Sequence, residues 1–348
     1  MNLAPIVLFV YNRPWHTRQT IKALQNCELA AESDLYVFAD GPKEIATDET
    51  RQKISEVRQY IHTIDGFRSI HIQESPTNKG LANSVIQGVS EIINKRRKVI
   101  VLEDDILTHP FFLQFMNDAL DYYCEDNRIF SIGAFMDDIS IPDDYAHDVF
   151  VCRRVETWGW GTWADRWISA EWDMSKYPIF KHTTNRQIRH LCRGGDDLWT
   201  LLQMQAAGKI DSWAARWQYN LTLRDGYCLR PKHSLVNNIG MDGSGTHCGN
   251  VINNSELRAS RTEYSSIWES AYLLSTPIFS HTNYDIQMVS GIKEDKSIVS
   301  EIQHHFKQAK DSTWKRVKRF IKHSLHHAIS FCHHALLQGE TYVDTNAT

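Results

Sequence analysis

The sequence has little with which to build a disulfide scaffold, a glycine-rich nucleotide loop, a membrane span or a nucleic-acid face. Seven cysteines are scattered through 348 residues without a CxxC pair. An odd count without framework spacing argues against a disulfide fold or a thiolate zinc site, and for reduced thiols in a cytosol-like compartment. The first apolar run continues as "VYNRPWHTRQ", with no GxGxxG, and GxxxxGK followed by Ser or Thr occurs nowhere. Hydride transfer on a dinucleotide site and P-loop hydrolysis therefore lose their sequence basis. No apolar run approaches the ~20 residues of a membrane span. The opening "MNLAPIVLFVYNRP" is broken by Asn12 and Arg13, so neither a signal peptide nor an anchor is expected there. The formal net charge of −4 gives no reason to expect nucleic-acid binding. There is no internal repeat, and no low-complexity linker before residue 250.

What is present is an ordinary globular composition, 42% hydrophobic and 23% charged, in a chain long enough for one large domain or two smaller ones. Strand-like and helix-like stretches alternate through the first ~130 residues. "APIVLFVYN" (4–12), "DLYVFAD" (34–40), "RSIHIQE" (68–74) and "KVIVL" (98–102) read as strands. Residues 13–27, 47–63, 80–95 and 110–124 read as helices, the first with Pro14 in its opening turn. The first and fourth strands are near-continuous apolar runs, as parallel strands covered on both faces must be. The expectation is a doubly wound α/β fold, with ligands at the carboxyl ends of the strands. Beyond residue 130 the pattern is less regular. Short strands are expected at 130–133 and 148–153, a Trp-rich loop at 156–167, and helices at 185–193, 196–207 and 212–224.

The fourth strand runs directly into Glu103, Asp104 and Asp105. Like charges ~4 Å apart repel by ~4 kcal/mol at an effective dielectric of about 20. At a buried edge such a triplet must take up protons or hold a cation. Carboxylate oxygens suit Mg²⁺ or Mn²⁺, which take one or two carboxylates and complete their shell with water and substrate phosphates. A solvated acidic turn is the alternative, and the position after a fully apolar strand favours the cation. Other strand ends add Asn12 and Arg13, Asp40 before Gly41, and Lys79 and Asn83 around a helix start. Each alone reads equally as a turn or a cap. Together they converge on one sheet edge.

In this order, "PIVLFVYNRP", "FADGPK", "NKGLANSV" and "VIVLEDDI" resemble the GT-A nucleotide-sugar glycosyltransferases, with the acidic triplet in place of the DxD motif. "TWGWGTW", "GGDDLW" and "CLRPKHSLVNNIGMDGSGTH" are similar to the branch that includes Golgi N-acetylglucosaminyltransferase I and bacterial surface-polysaccharide transferases. The resemblance covers about residues 1–250 and implies a Rossmann-like GT-A fold. Residues 1–130 would be its nucleotide-binding half and 131–250 its acceptor and catalytic half. It implies that Asp105 ligates Mn²⁺ or Mg²⁺, and that Glu103 and Asp104 hold ribose or metal-bound water. Asn12, Arg13, Asp40, Lys79 and Asn83 would contact the nucleotide sugar. Asp197 would be the base of an inverting transfer, with Asp196 as its rival. The departures are Glu103 where the motif has Asp, and two glycines before Asp196.

Trp158, Trp160 and Trp163, spaced by Gly159 and Gly161, read either as a packing corner or as an apolar wall or lid for sugar rings, and the wall is the expectation. His247 is a candidate for the metal or the diphosphate. Residues 251–300 read as a polar connector, and 301–348 as a helical extension. Within it, 303–337 form a basic amphipathic helix with Trp314, Val317, Ile321 and Leu325 on one side, suited to an anionic membrane surface or a subunit contact. The expected protein is thus a metal-dependent glycosyltransferase acting on a glycan or lipid-linked acceptor, cytoplasmic or peripheral on the inner face of the membrane. The rivals are a sugar nucleotidyltransferase and a non-catalytic carbohydrate-binding protein. Oligomeric state is not legible.

Overall fold

Continuous apolar stretches set the centre of the sheet. In the computed structural model, which describes residues 2–137, 139–183, 185–242 and 284–307, β1 (Ile6–Val10) is buried at all five positions. Pro14 opens α1 (Pro14–Gln25), and β2 (Asp34–Ala39) returns beside β1. Thr47 caps α2 (Asp48–Ile61) by accepting from the Thr50 N–H, and β3 (Ser69–Glu74) follows. Gly80, at φ 78°, turns the chain into α3 (Leu81–Arg96), which leads to β4 (Lys98–Glu103). Then come β5 (Ile106–Thr108), α4 (Phe112–Tyr122), β6 (Ile129–Gly133), β7 (Val149–Cys152) and β8 (Trp160–Trp163). The remaining elements are α5 (Ala164–Ile168), α6 (Tyr177–Thr183), α7 (Asn185–Cys192), α8 (Asp197–Ala206), α9 (Trp213–Leu223), β9 (Tyr227–Pro231), β10 (Val236–Asn238) and helix α10 (296–307).

Eight strands form one mixed, mostly parallel sheet in the order β3-β2-β1-β4-β8-β6-β9-β7. The first four strands are parallel throughout. β8 runs antiparallel to both β4 and β6, and β5 pairs separately with β10. Because side chains alternate across a strand, β1 and β4 feed two cores at once. Ile6, Leu8, Ile100 and Leu102 face α1, α2 and α4, whereas Val7, Phe9, Val99 and Val101 face α3 and α9. This is the doubly wound α/β architecture expected from the alternation.

Two departures follow from burial. Residues 160–163, expected within a loop wall, form β8, with every residue buried. A Cβ at Gly161 would lie 2.9 Å from both the Met116 Cε and the Val99 carbonyl oxygen, so glycine lets the strand settle between β4 and β6. Residues 284–300, expected as connector, are built into the body. Tyr284, Ile286, Met288 and Ile292 join the first core, and the Tyr123 hydroxyl donates to the Val289 carbonyl at 3.0 Å. In α10, Ile298, Ile302 and Phe306 join the second core. Among the described residues no helix is long and apolar enough to cross a membrane. Residues 308–348, with most of the proposed amphipathic tail, lie outside the described residues.

Candidate functional site

The chain leaves β1 at Val10 and β4 at Glu103, neighbouring parallel strands whose ends share one edge. That brings Arg13 against the acidic triplet. One guanidinium nitrogen bonds the Asp104 carboxylate, and the other meets Asp105 Oδ2 at 2.9 Å. Both aspartates are buried, while Glu103 keeps a partly exposed edge. Burial, then Asp105 and Asp104, push the Glu103 carboxyl up to about 8, against Arg13 and a hydrogen bond with the Trp213 side chain. Burial also raises Asp104 above the usual carboxylate range despite Arg13. Burial alone would weaken the Arg13 charge, but Asp104 and Asp105 outweigh it and raise its pKa.

Three ionised carboxylates beside one guanidinium would leave two negative charges uncompensated. A hard divalent cation matches both that charge and the oxygen chemistry. The donor set therefore fits Mg²⁺ or Mn²⁺ through one or two carboxylates, with Asp105 and Glu103 as holders. No group of three or more metal-binding side chains converges among the described residues. Asp105 is also closed in: a Cβ on Gly240 would fall 2.0 Å from its Oδ2 and 2.9 Å from Arg13 Nη1. Gly240 is placed there by β10, through the β5 pairing and the Ile239 N–H donating to the Asp105 carbonyl at 2.9 Å. His247 lies outside the described residues.

The nucleotide-side residues gather at the neighbouring strand ends. Asp40 Oδ1 accepts from the Gly41 and Lys79 N–H groups, both at 2.8 Å. Its Oδ2 accepts from Asn78 Nδ2 at 2.9 Å and the Gly80 N–H at 3.1 Å. Asp40 thus ties the 78–80 turn to β2. Asn83 Nδ2 donates to the Lys79 carbonyl at 3.1 Å and secures the same turn. Asp40 and Lys79 line a cavity of about 260 Å³ between β2, β3 and α3, with Glu74 and Glu91. Asn12 is partly buried in the β1–α1 connection.

A second cavity, of about 280 Å³, lies over the β6–β8 half, with Phe135, Asp137, Arg154, Glu156, Trp158 and Phe306 in its walls. Of the three tryptophans expected as a sugar wall, only Trp158 reaches it, stacked edgewise on Phe135 at 4.4 Å. Trp160 and Trp163 are strand residues at 0% and 5% exposure, so a lid role for them is corrected to packing. Trp160 stacks with Trp167 and Trp213, and the Trp163 indole donates to the Leu120 carbonyl at 2.8 Å. Asp197 opens α8, and both its oxygens accept from Arg154 at 3.0 Å. Arg154 in turn lies 3.4 Å above the Phe306 ring. Arg154 takes two of the four lone-pair sites of this carboxylate, so the others can receive a proton while the pair persists. Asp196 precedes the helix without a side-chain capping bond.

Sequence reasoning missed a buried ionic group here. Arg230, 1% exposed, bonds Asp137 Oδ2 at 2.5 Å and lies 3.2 Å from Glu156 Oε2. Glu156 Oε1 accepts the N–H groups of Thr157 and Trp158, fixing the turn that presents Trp158. Its carboxyl is raised by burial, against Arg230. Glu156 heads the Trp-rich segment, a usable signal. Arg230 had none, because only the β9 register brings it there. Trp213 was likewise hidden until α9 docked its indole on Glu103.

No protein-family model and no curated protein matches the chain. Among solved structures it is similar to S. aureus TarS, at 10% identity over 68% of this chain with a TM-score of 0.36, and it spans 37% of that protein. It is similar to a UDP-glucose pyrophosphorylase complexed with UDP-glucose, at 11% identity over 76% of this chain and 100% of that one, with a TM-score of 0.34. Likenesses this slight carry no argument about function.

Proposed function

We propose that the chain is a divalent-cation-dependent, inverting glycosyltransferase that takes a sugar from a nucleotide donor, UDP-sugar foremost, to a glycan or lipid-linked acceptor in cell-surface polysaccharide synthesis. The observation that carries this reading is the acidic rim at the end of the central parallel strands, with one guanidinium for three carboxyl groups. Asp105 and Glu103 would hold Mn²⁺ or Mg²⁺, which supplies charge neutralisation for a departing diphosphate. The cavity beside Asp40 and Lys79 would take the nucleoside.

The acceptor belongs in the cavity walled by Trp158, whose ring offers a flat apolar face, with Asp137 and Glu156 as acceptors for sugar hydroxyls. Asp197 is the proposed base, taking the acceptor hydroxyl proton on a lone pair that Arg154 leaves open. The basic segment 308–337 would hold the enzyme against an anionic membrane on the cytoplasmic side, near a lipid-linked acceptor. The rival nucleotidyltransferase reading expects a basic glycine-rich loop after β1, and "YNRPWHTRQ" has none.

The test is a thermal-shift panel of nucleoside diphosphates with and without Mn²⁺, since a bound ligand raises the apparent Tm. One diphosphate should stabilise the protein only with Mn²⁺, and Asp105→Ala should abolish that shift. Asp197→Asn should keep the shift and lose UDP release from the donor in the presence of acceptor. If no diphosphate with Mn²⁺ moves the Tm, this function is refuted. Pyrophosphate rather than nucleoside diphosphate as product would favour the nucleotidyltransferase.

A further inference from the structure

The Arg13 side chain occupies the acidic rim as a cation would. Its two terminal nitrogens each take a different carboxylate, Asp104 and Asp105, and Gly240 packs against the Asp105 oxygen that Arg13 holds. Arg13 is the N-cap of α1, where its carbonyl accepts from the Thr17 N–H at 3.0 Å, so its backbone is held by the helix while its long side chain carries four rotatable bonds. A guanidinium is a planar fork that binds phosphate oxygens as readily as carboxylates. Among the described residues no guanidinium is paired with Glu103, whose side chain has a hydrogen bond with Trp213.

We propose that Arg13 is the rim's resident counter-ion: it competes with a divalent metal for Asp105 while the nucleotide is absent, and moves to the incoming diphosphate when metal and nucleotide arrive together. This rests on the reading of the rim as a metal site. The consequence is coupling. The metal alone must displace the guanidinium from Asp105 with no new oxygens to replace that bond, so it binds weakly. With a diphosphate present, the displaced guanidinium gains new oxygens, so metal and nucleotide each strengthen the binding of the other, reciprocally. The arrangement also gives two buried carboxylates one shared counter-charge between turnovers.

The experiment measures free Mn²⁺ by electron paramagnetic resonance during titration of the full chain, with and without saturating UDP. Wild type should bind Mn²⁺ weakly alone and at least about tenfold more tightly with UDP, a typical coupling factor. Arg13→Met, which keeps the stem and removes the charge, should bind Mn²⁺ about tenfold more tightly than wild type without UDP, because an unpaired carboxylate is restored to the metal. Its UDP-dependent gain should shrink toward onefold. Arg13→Lys, which keeps one charge without the fork, should stay weak without UDP and gain less from it than wild type. Circular dichroism establishes that the variants are folded. A folded Arg13→Met that binds Mn²⁺ no more tightly than wild type overturns the competitor role, even where wild type binds Mn²⁺ with UDP. If Arg13→Met does not fold, the Arg13→Lys comparison decides: a UDP gain equal to wild type overturns the role. Absence of Mn²⁺ binding in every protein, with or without UDP, sinks instead the reading of the rim as a metal site.

Discussion

Replacing Asp40 by alanine separates a carboxylate that reads a ligand from one that builds the pocket wall. All four lone-pair sites of Asp40 are taken, by the N–H groups of Gly41, Lys79 and Gly80 and by Asn78 Nδ2. A hydrogen bond to a charged group is worth about 1.5–3 kcal/mol. Lys79 is exposed, and its freed N–H finds water; Asn78 and Gly80 are half-buried and do so less easily. Counting only these two bonds at the low end of the range gives a loss of about 3 kcal/mol. For a chain of this size that corresponds to a fall in Tm of about 6 °C, at about 2 °C per kcal/mol. The assay is a thermal melt without nucleotide, paired with amide hydrogen exchange. Protection should fall at Gly80 and at Ser84, whose N–H bonds the Gly80 carbonyl. An unchanged Tm with unchanged exchange would refute the wall-building account and leave Asp40 as a ligand contact alone.

Three other expectations follow from single observations. Trp160→Ala should lower stability by about 3–5 kcal/mol, because it empties the centre of the aromatic stack on β8. Trp158→Ala, at a ring only partly buried against the core, should cost less stability than Trp160→Ala and weaken transfer to acceptor, read as a rise in acceptor KM with donor KM unchanged. Without divalent cation, Glu103 should make stability fall as pH rises. Its folded carboxyl titrates at about 8, above the ordinary value of 4.5, so between those values the folded chain keeps a proton that the unfolded chain releases. The Tm of Glu103→Gln minus that of wild type, measured in chelator, should therefore grow from pH 5 to pH 8; a flat difference would contradict the raised carboxyl.

The first half of the fold was legible because β1 and β4 are continuous apolar runs, and the intervening helices space their apolar residues by three and four. The end of β4 was legible for the same reason: a strand buried on both faces cannot run into three carboxylates without chemistry to hold them. The second half was not. Trp160-Gly-Thr-Trp163 has neither alternation nor a long apolar run, and its strand state is imposed from outside by β4 and β6, with Gly161 fitting the gap left by Met116. Residues 284–300 read as a polar connector and 301–307 as the start of a tail, because their apolar side chains show no strand or long helix pattern, yet Ile292, Ile298, Ile302 and Phe306 each land on the body. At the rim, the residue types were readable and their pairing was not. Arg13 is 91 positions from Asp104 and meets it only through the parallel register of two strands.

The place of β8 has a consequence for how the molecule is assembled. Within the described eight-stranded sheet, these four residues are the sole ladder joining the β3-β2-β1-β4 block to the β6-β9-β7 block. β8 lies closer in sequence to β6 and to β4 than β9 does to β6 or β7, so the loops that this zipper closes are shorter than those that complete the β6-β9-β7 block. Loop-closure entropy therefore favours the zipper ahead of the β6–β9 pairing, and the tryptophan at the zipper's first position is an optical reporter for the step.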